Sequence, residues 1–235
     1  MSRIHRTTSL QCSLFTIAAS GHGADVVLHH LGENTLKDTE AVKQAIESNG
    51  RKAILVAGDI GDPSTAEKVS PVHPTPLWIL IRCQIVTEAI KAFSRIDILI
   101  SNAGICPFHT FLDMPNDLWK KVQNVNLDGS FYITRAVANQ MAAQEPKGGS
   151  IVAISSISAL MGGAGQTHYT PTKAGIKSLM ESCAIALGPM GIRCNSILPG
   201  EYVHGCISIL VLTLLQERSR QPSTSMTWRT RASAQ

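Results

Sequence analysis

The sequence predicts an α/β protein built on a doubly wound parallel sheet. Three observations predict it. Short runs that are apolar throughout alternate with amphipathic stretches of helical length, as in repeated strand–helix–strand units. The apolar runs lack a polar face, so they read as strands buried on both sides by helices. The polar residues suited to chemistry collect at the carboxyl ends of these runs, where open α/β sheets bind their ligands.

The elements follow in order. "ADVVLHH" (24–30) is a short apolar run with a polar end and reads as a strand. "DTEAVKQAIESNG" (38–50) places Val42 and Ile46 on one helical face, and Gly50 stops it. "KAILVAGDI" (52–60) is a second buried strand, ending at Asp59 and Ile60. "IVTEAIKAFSRI" (85–96) is an amphipathic helix, and "IDILISNAG" (96–104) is a strand closed by a turn. Residues 116–144 read as one long helix, bent near Gly129. "GSIVAISS" (149–156) is a fourth strand, residues 170–191 a second long helix, and "IRCNSILPG" (192–200) a fifth strand. Right-handed crossovers wind such units on both faces of one sheet.

Composition narrows the function. The chain has 235 residues, 44% of them hydrophobic and 16% charged, enough for one large domain with a substantial core. The net charge of +4 comes largely from arginines near the two ends, which is a poor footprint for nucleic acid. The apolar run 207–215 is too short to span a bilayer. Leu10–Ala19 is too broken by polar residues for a signal peptide. Six scattered cysteines without a Cys-x-x-Cys spacing point to reduced thiols, a cytoplasmic location and no structural metal.

The stretch Ser155–Gly175, "SSISALMGGAGQTHYTPTKAG", carries the chemistry. Tyr169 and Lys173 are four apart and share a helix face. An ammonium beside a phenol favours the phenolate, and a phenol tuned towards neutrality can exchange a proton with an alcohol. Ser156 ends the preceding strand and can bind the same substrate oxygen. Three glycines between Ala159 and Gln166 let the connecting loop fold back. A bare Tyr-x-x-x-Lys is more often an ordinary surface pair, so the rest of the chain has to decide.

Several motifs decide it together. "NAG" (102–104), "NVNLDGSF" around Asn126, the thirteen-residue spacing of Ser156 and Tyr169, "YTPTKAG" and "GIRCNSILPG" resemble the short-chain dehydrogenase/reductase family over about residues 21–68 and 85–200. The resemblance implies a Rossmann-like fold and an NAD or NADP cofactor. It implies Tyr169 as acid/base, with Lys173 lowering its pKa and binding ribose. Ser156 would orient substrate, and Asn126 would hold a proton-relay water. It places the cofactor against His30, Leu31, Asp59, Ile60, Asn102, Ala103, Gly104, Tyr169, Lys173, Pro199 and Gly200. It also implies a homo-oligomer, a dimer or tetramer, through the two long helices.

More narrowly, "HHLGE", "SNAGICPFHTFLDMP", "PKGGSI" and the opening stretch resemble the branch of the family that oxidises L-rhamnose to its lactone. Phe108, Gln166 and His168, with Ser156 and Tyr169, would then line a sugar pocket, and His109 is a further candidate. His168 could instead cap the helix start, and His109 could be a solvated loop residue. A ketoreductase for another small metabolite stays open. No acid follows the second family strand at His29–Leu31 to claim NAD, and no arginine is there to hold the NADP phosphate.

Two departures stand out. The family's Thr-Gly-x-x-x-Gly-x-Gly phosphate turn does not occur, and "GHG" (21–23) falls where the first helix should end. The sheet is therefore expected to be incomplete, lacking its first strand and its last helix and strand. Residues 69–84 interrupt what otherwise reads as one helix, and the pattern stops after Gly200. Val69–Ser70, Cys83–Gln84, Gly200–Tyr202 and Gln216 all permit codons of splice edges, so two intron-derived segments are expected. The domain is then 1–200, with 69–84 inserted and 201–235 a polar, disordered tail. Such a chain could also be a catalytically dead fragment.

Overall fold

The computed structural model describes residues 17–62 and 84–200. The expectations for 69–83 and for the tail 201–235 lie outside these residues.

A helical turn at 17–21 ends at Gly21–Gly23, as the sequence pattern requires, and leads into β1 (Val26–His30). Then come α1 (Glu33–Ser48) and β2 (Ala53–Ala57). Gly50 adopts φ 73° just after α1, a left-handed backbone that glycine enters without a Cβ clash. β1 and β2 pair in parallel, Val26 opposite Ala53 through His30 opposite Ala57. Val26, Leu28, Ile46 and Ala53 form a small core between this pair and α1.

The second half is α2 (Gln84–Phe93), β3 (Ile98–Ser101), α3 (Asn116–Gln123), α4 (Gly129–Ala143), β4 (Gly149–Ile154), α5 (Thr170–Leu187) and β5 (Ile192–Ile197). β3, β4 and β5 form a parallel sheet in that order. The main core packs α4 and α5 against it, with Met141, Ile151, Ala153, Ile176, Met180 and Ile192 almost wholly buried. Burying a Leu-, Ile- or Met-sized side chain contributes about 1.5–3 kcal/mol, so this half carries most of the apolar stabilisation.

Sequence and structure agree on the parallel α/β architecture. The described strands form a pair and a trio rather than one sheet. Among the described residues no strand lies on the free edges of β1 and β3. α2 packs on β1, β2 and α4 and so joins the two parts.

The expected helix 116–144 is not continuous. Residues Asn124–Asp128 form a π-type turn between α3 and α4. Such turns insert one residue into the helical ladder and often mark functional positions. Here it turns Asn126 fully into the interior. Gly129 follows, where a Cβ would lie 3.0 Å from the Ile60 carbonyl oxygen, so glycine lets the exit of β2 approach α4.

A second tight approach sets the start of β4. Gly148 has φ 109°, and a Cβ on it would lie 2.8 Å from the Gly191 carbonyl oxygen. Gly149 then enters the ladder opposite Ile192.

Candidate active site

The site lies beyond the carboxyl ends of β3 and β4. Its pocket is lined by Asn102, Gly104, Ile105, Cys106, Ile154, Ser155, Tyr169 and Lys173. A Cβ at Gly104 would sit 3.3 Å from Asn126 Oδ1 and 3.5 Å from Lys173 Nζ. Glycine there keeps the floor open.

Lys173 is 4% exposed. Its Nζ donates to the Ile154 carbonyl at 2.8 Å and lies 5.5 Å from the centre of the Tyr169 ring. Burial disfavours its charged form and pulls its pKa down to about 8. Ser155 Oγ donates to the Lys173 carbonyl at 2.7 Å and fastens this first turn of α5 to the end of β4.

The Tyr169 phenol is hydrogen-bonded to Ser156, which favours the phenolate. Burial outweighs that bond and pushes the phenol up to about 12. The expectation that Lys173 lowers this pKa below its ordinary value is therefore not met. The ammonium lies over the ring, 5.5 Å from its centre, and burial of the phenol is the larger effect. Ser156 Oγ also accepts the Ser158 backbone N–H at 3.1 Å, which caps the short 3₁₀ turn Ile157–Ala159 and fixes the hydroxyl.

Asn126 is held by several protein contacts. Its Oδ1 accepts the Ile105 N–H at 2.8 Å, and its Nδ2 donates to the Ile105 carbonyl at 3.0 Å and to Thr172 Oγ1 at 3.1 Å. Both amide hydrogens are used inside the protein. The side chain acts as a clamp between the loop after β3 and α5. The Asn126 carbonyl accepts from Ser130 Oγ at 2.6 Å.

Comparison with known proteins adds the family. The short chain dehydrogenase profile matches residues 16–204. The chain belongs to the short chain dehydrogenase family. It is 48% identical over 184 residues to an L-rhamnose 1-dehydrogenase (NAD(P)(+)) of Sphingomonas sp., covering 78% of this chain and 65% of the relative. It is 44% identical over 185 residues to an L-rhamnose-1-dehydrogenase of Scheffersomyces stipitis, covering 78% and 65%. A solved short-chain alcohol dehydrogenase of Sinorhizobium meliloti shares the fold at a TM-score of 0.70, with 24% identity, over 81% of this chain and 67% of that one. The chain thus spans about two thirds of the length of the curated relatives it matches.

Other expected residues divide into three groups. Gln166 belongs near the pocket, because its side chain is hydrogen-bonded to the Cys106 thiol and accepts from Ser158 Oγ at 3.4 Å. Phe108 is half exposed, and its ring would be 3.3 Å from a Cβ on Gly165, so it stands on the rim. His168 lies in the interior. It is fully buried, its Nε2 bonds the Pro107 carbonyl at 2.6 Å, and the N-terminus of α5 has no side-chain cap. His109 is half-buried, and its Nδ1 bonds the neighbouring Thr110 carbonyl at 2.9 Å.

The cofactor residues lie at strand ends, as the family arrangement requires. Leu31 is exposed, and His30 Nδ1 bonds the Gly32 carbonyl at 3.3 Å. His29 bonds the Gly58 carbonyl, and burial lowers its pKa. Asp59 Oδ1 accepts the Gly61 N–H at 2.9 Å, while the Ile60 side chain is buried in the core. Ala103 is exposed; Asn102, Pro199 and Gly200 are half-buried. Asn102, Gly104 and Lys173 line the pocket and have the chemistry to meet the nicotinamide–ribose end of NAD(P), whereas His30, Leu31, Asp59 and Ile60 lie after β1 and β2. The open floor at Gly104 admits a ring, and Lys173 has three N–H donors but shows one bond among the described residues.

Cys106, Ser155 and Thr172 were not singled out by sequence. Cys106 stands two residues after the "NAG" turn, and that position was the available signal. Its thiol lies in the pocket, and burial pushes its pKa up to about 11.

Proposed function

We propose that this chain is an NAD(P)-dependent oxidoreductase that oxidises the anomeric hydroxyl of L-rhamnose to the lactone. The observation that supports it most is the constellation itself. A buried lysine lies over a tyrosine whose phenol bonds a strand-end serine, in one pocket of a chain close in sequence to named L-rhamnose dehydrogenases.

Tyr169 Oη takes the proton from the sugar hydroxyl. Ser156 Oγ, held by the Ser158 N–H, shares that oxygen and orients it. Lys173 supplies the positive charge that makes the phenolate reachable. Asn126 holds the pocket floor to α5 through Ile105 and Thr172. A bound nicotinamide would supply the hydride acceptor for the anomeric carbon, whose hydroxyl oxygen gives its proton to Tyr169. Gln166 and Phe108 are the residues we assign to the sugar's remaining surface.

The end of β1 has no carboxylate to select the ribose diol, which supports use of both NAD and NADP. We further propose a cytoplasmic enzyme and a homodimer or homotetramer formed through α4 and α5, where Phe131 and Ile185 are exposed. Among the described residues no helix is long and apolar enough to cross a membrane.

A substrate panel tests this reading. L-Rhamnose, L-mannose and L-lyxose are offered with NAD⁺ or NADP⁺, and small ketones with NADPH. Preferred oxidation of L-rhamnose supports the proposal, whereas turnover of the ketones alone assigns a ketoreductase. Absence of dinucleotide binding by fluorescence titration would show that the chain binds no cofactor as it stands.

A further inference from the structure

One wall of the pocket runs from Ile105 to His109, on the loop after β3. Five residues of irregular chain would ordinarily be mobile, because little backbone pairing holds them. Here they are fixed at three points. Asn126 takes both the N–H and the carbonyl of Ile105, at 2.8 and 3.0 Å. His168 Nε2 meets the Pro107 carbonyl at 2.6 Å. The His109 N–H donates to the Gly165 carbonyl at 3.0 Å.

The central tie is the informative one. His168 immediately precedes Tyr169 and has no exposed surface. Its partner is a carbonyl, so Nε2 carries the hydrogen and the ring is in the Nε2–H tautomer. Nδ1 is buried with no partner. The His168 carbonyl in turn accepts from Gln123 Nε2 at 2.9 Å. One residue thus connects α3, the acid/base tyrosine and the loop carrying Cys106 and Phe108. Proline at 107 lacks an N–H, so that residue has only its carbonyl to anchor it.

We propose that His168 is a positioning residue that holds the 105–109 wall at a fixed distance from Tyr169 and so sets which sugars fit the pocket. The proposal rests on the sugar-oxidising reading for its kinetic consequence, but its structural core does not. His168 does not touch substrate. It places Cys106 and Phe108, and through Cys106 it steadies Gln166.

The test uses His168→Leu and His168→Gln in the full chain. A glutamine amide can reach the Nε2 position and donate to Pro107; leucine cannot. Backbone hydrogen exchange is measured first, because it requires no activity. His168→Leu should raise exchange of the Ile105 and His109 amides at least tenfold while amides of β4 stay unchanged, and His168→Gln should restore protection. In steady state with L-rhamnose, His168→Leu should raise KM about tenfold with kcat changed less than threefold, and should narrow the preference for L-rhamnose over L-mannose. Equal loop protection in both variants and the parent would overturn the proposal whether or not the chain oxidises sugars. Protection lost in the leucine variant, with no turnover by any form, would uphold the clamp and remove the L-rhamnose reading instead. If the leucine variant does not fold, His168→Asn replaces it: its shorter amide cannot reach Pro107, and exchange equal to that of His168→Gln would equally overturn the proposal.

Discussion

The pH dependence of oxidation follows from the coupled pair Tyr169 and Lys173. The form that accepts a proton is phenolate with ammonium. Below pH 8 the dominant form is phenol with ammonium, one proton richer, so the active fraction rises tenfold per pH unit. Lys173 loses its own proton at about 8, well before Tyr169 at about 12. Above that point the dominant form is phenol with neutral amine. It carries the same number of protons as the active form, so the active fraction becomes independent of pH. The profile of log kcat/KM should therefore rise with unit slope and flatten near pH 8. The plateau reports the lysine, although the tyrosine is the proposed base. Burial lowers Lys173 and raises Tyr169, so phenolate with ammonium is a minority form on the plateau and bound ligands must favour it.

Lys173→Met removes the charge that stands 5.5 Å from the ring centre. At an effective dielectric of about 20 the lost attraction for a phenolate is about 3 kcal/mol, or about a hundredfold in rate at pH 8. The unit slope should then continue past pH 9, because no second group titrates. The assay is NAD(P)H formation at 340 nm between pH 6 and 10, with circular dichroism to confirm folding. A plateau near pH 8 that survives in the variant would refute the assignment to Lys173.

Other outcomes follow from the same contacts. Tyr169→Phe removes the proton acceptor and should lower kcat by about 10²–10⁴ while dinucleotide binding, followed by fluorescence, stays within about twofold. Asn126→Ala leaves the Ile105 N–H and carbonyl without partners in the interior; it should cost about 2–4 kcal/mol in urea unfolding and weaken activity through the displaced loop. Gly148→Ala would force a Cβ to 2.8 Å from the Gly191 oxygen at φ 109° and should cost about 1–3 kcal/mol, with kcat of the folded fraction unchanged.

Much of the architecture was legible because period and polarity are local signals. Continuous apolar runs such as 52–57 and 149–154 became parallel strands, and the helix boundaries shifted by a few residues only. The π-type turn at Asn124–Asp128 was less legible. Its helical periodicity predicts a bend near Gly129, but nothing in it reports one extra residue in the ladder. The site shows the same division. Spacing together with the family motifs placed Ser156, Tyr169 and Lys173 together, since a strand end and one helical turn limit where they can lie. Roles that depend on burial were not legible. Whether a phenol rises or falls in pKa is decided by desolvation against charge, and composition does not give that balance. His168 reads as a pocket residue from its place beside Tyr169, yet its ring turns inward to a carbonyl sixty-one residues earlier in the chain. The only sequence signal for Cys106 is its place two residues after the "NAG" turn, since a thiol outside any metal or disulfide spacing carries none of its own.

The most direct test of the central claim is reduction of NAD⁺ and NADP⁺ by the purified chain with L-rhamnose, followed at 340 nm beside Tyr169→Phe, with the product identified by mass spectrometry. The account predicts turnover that yields the lactone and falls at least a hundredfold in the variant. Turnover unaffected by Tyr169→Phe, or no turnover despite measurable dinucleotide binding, would contradict it.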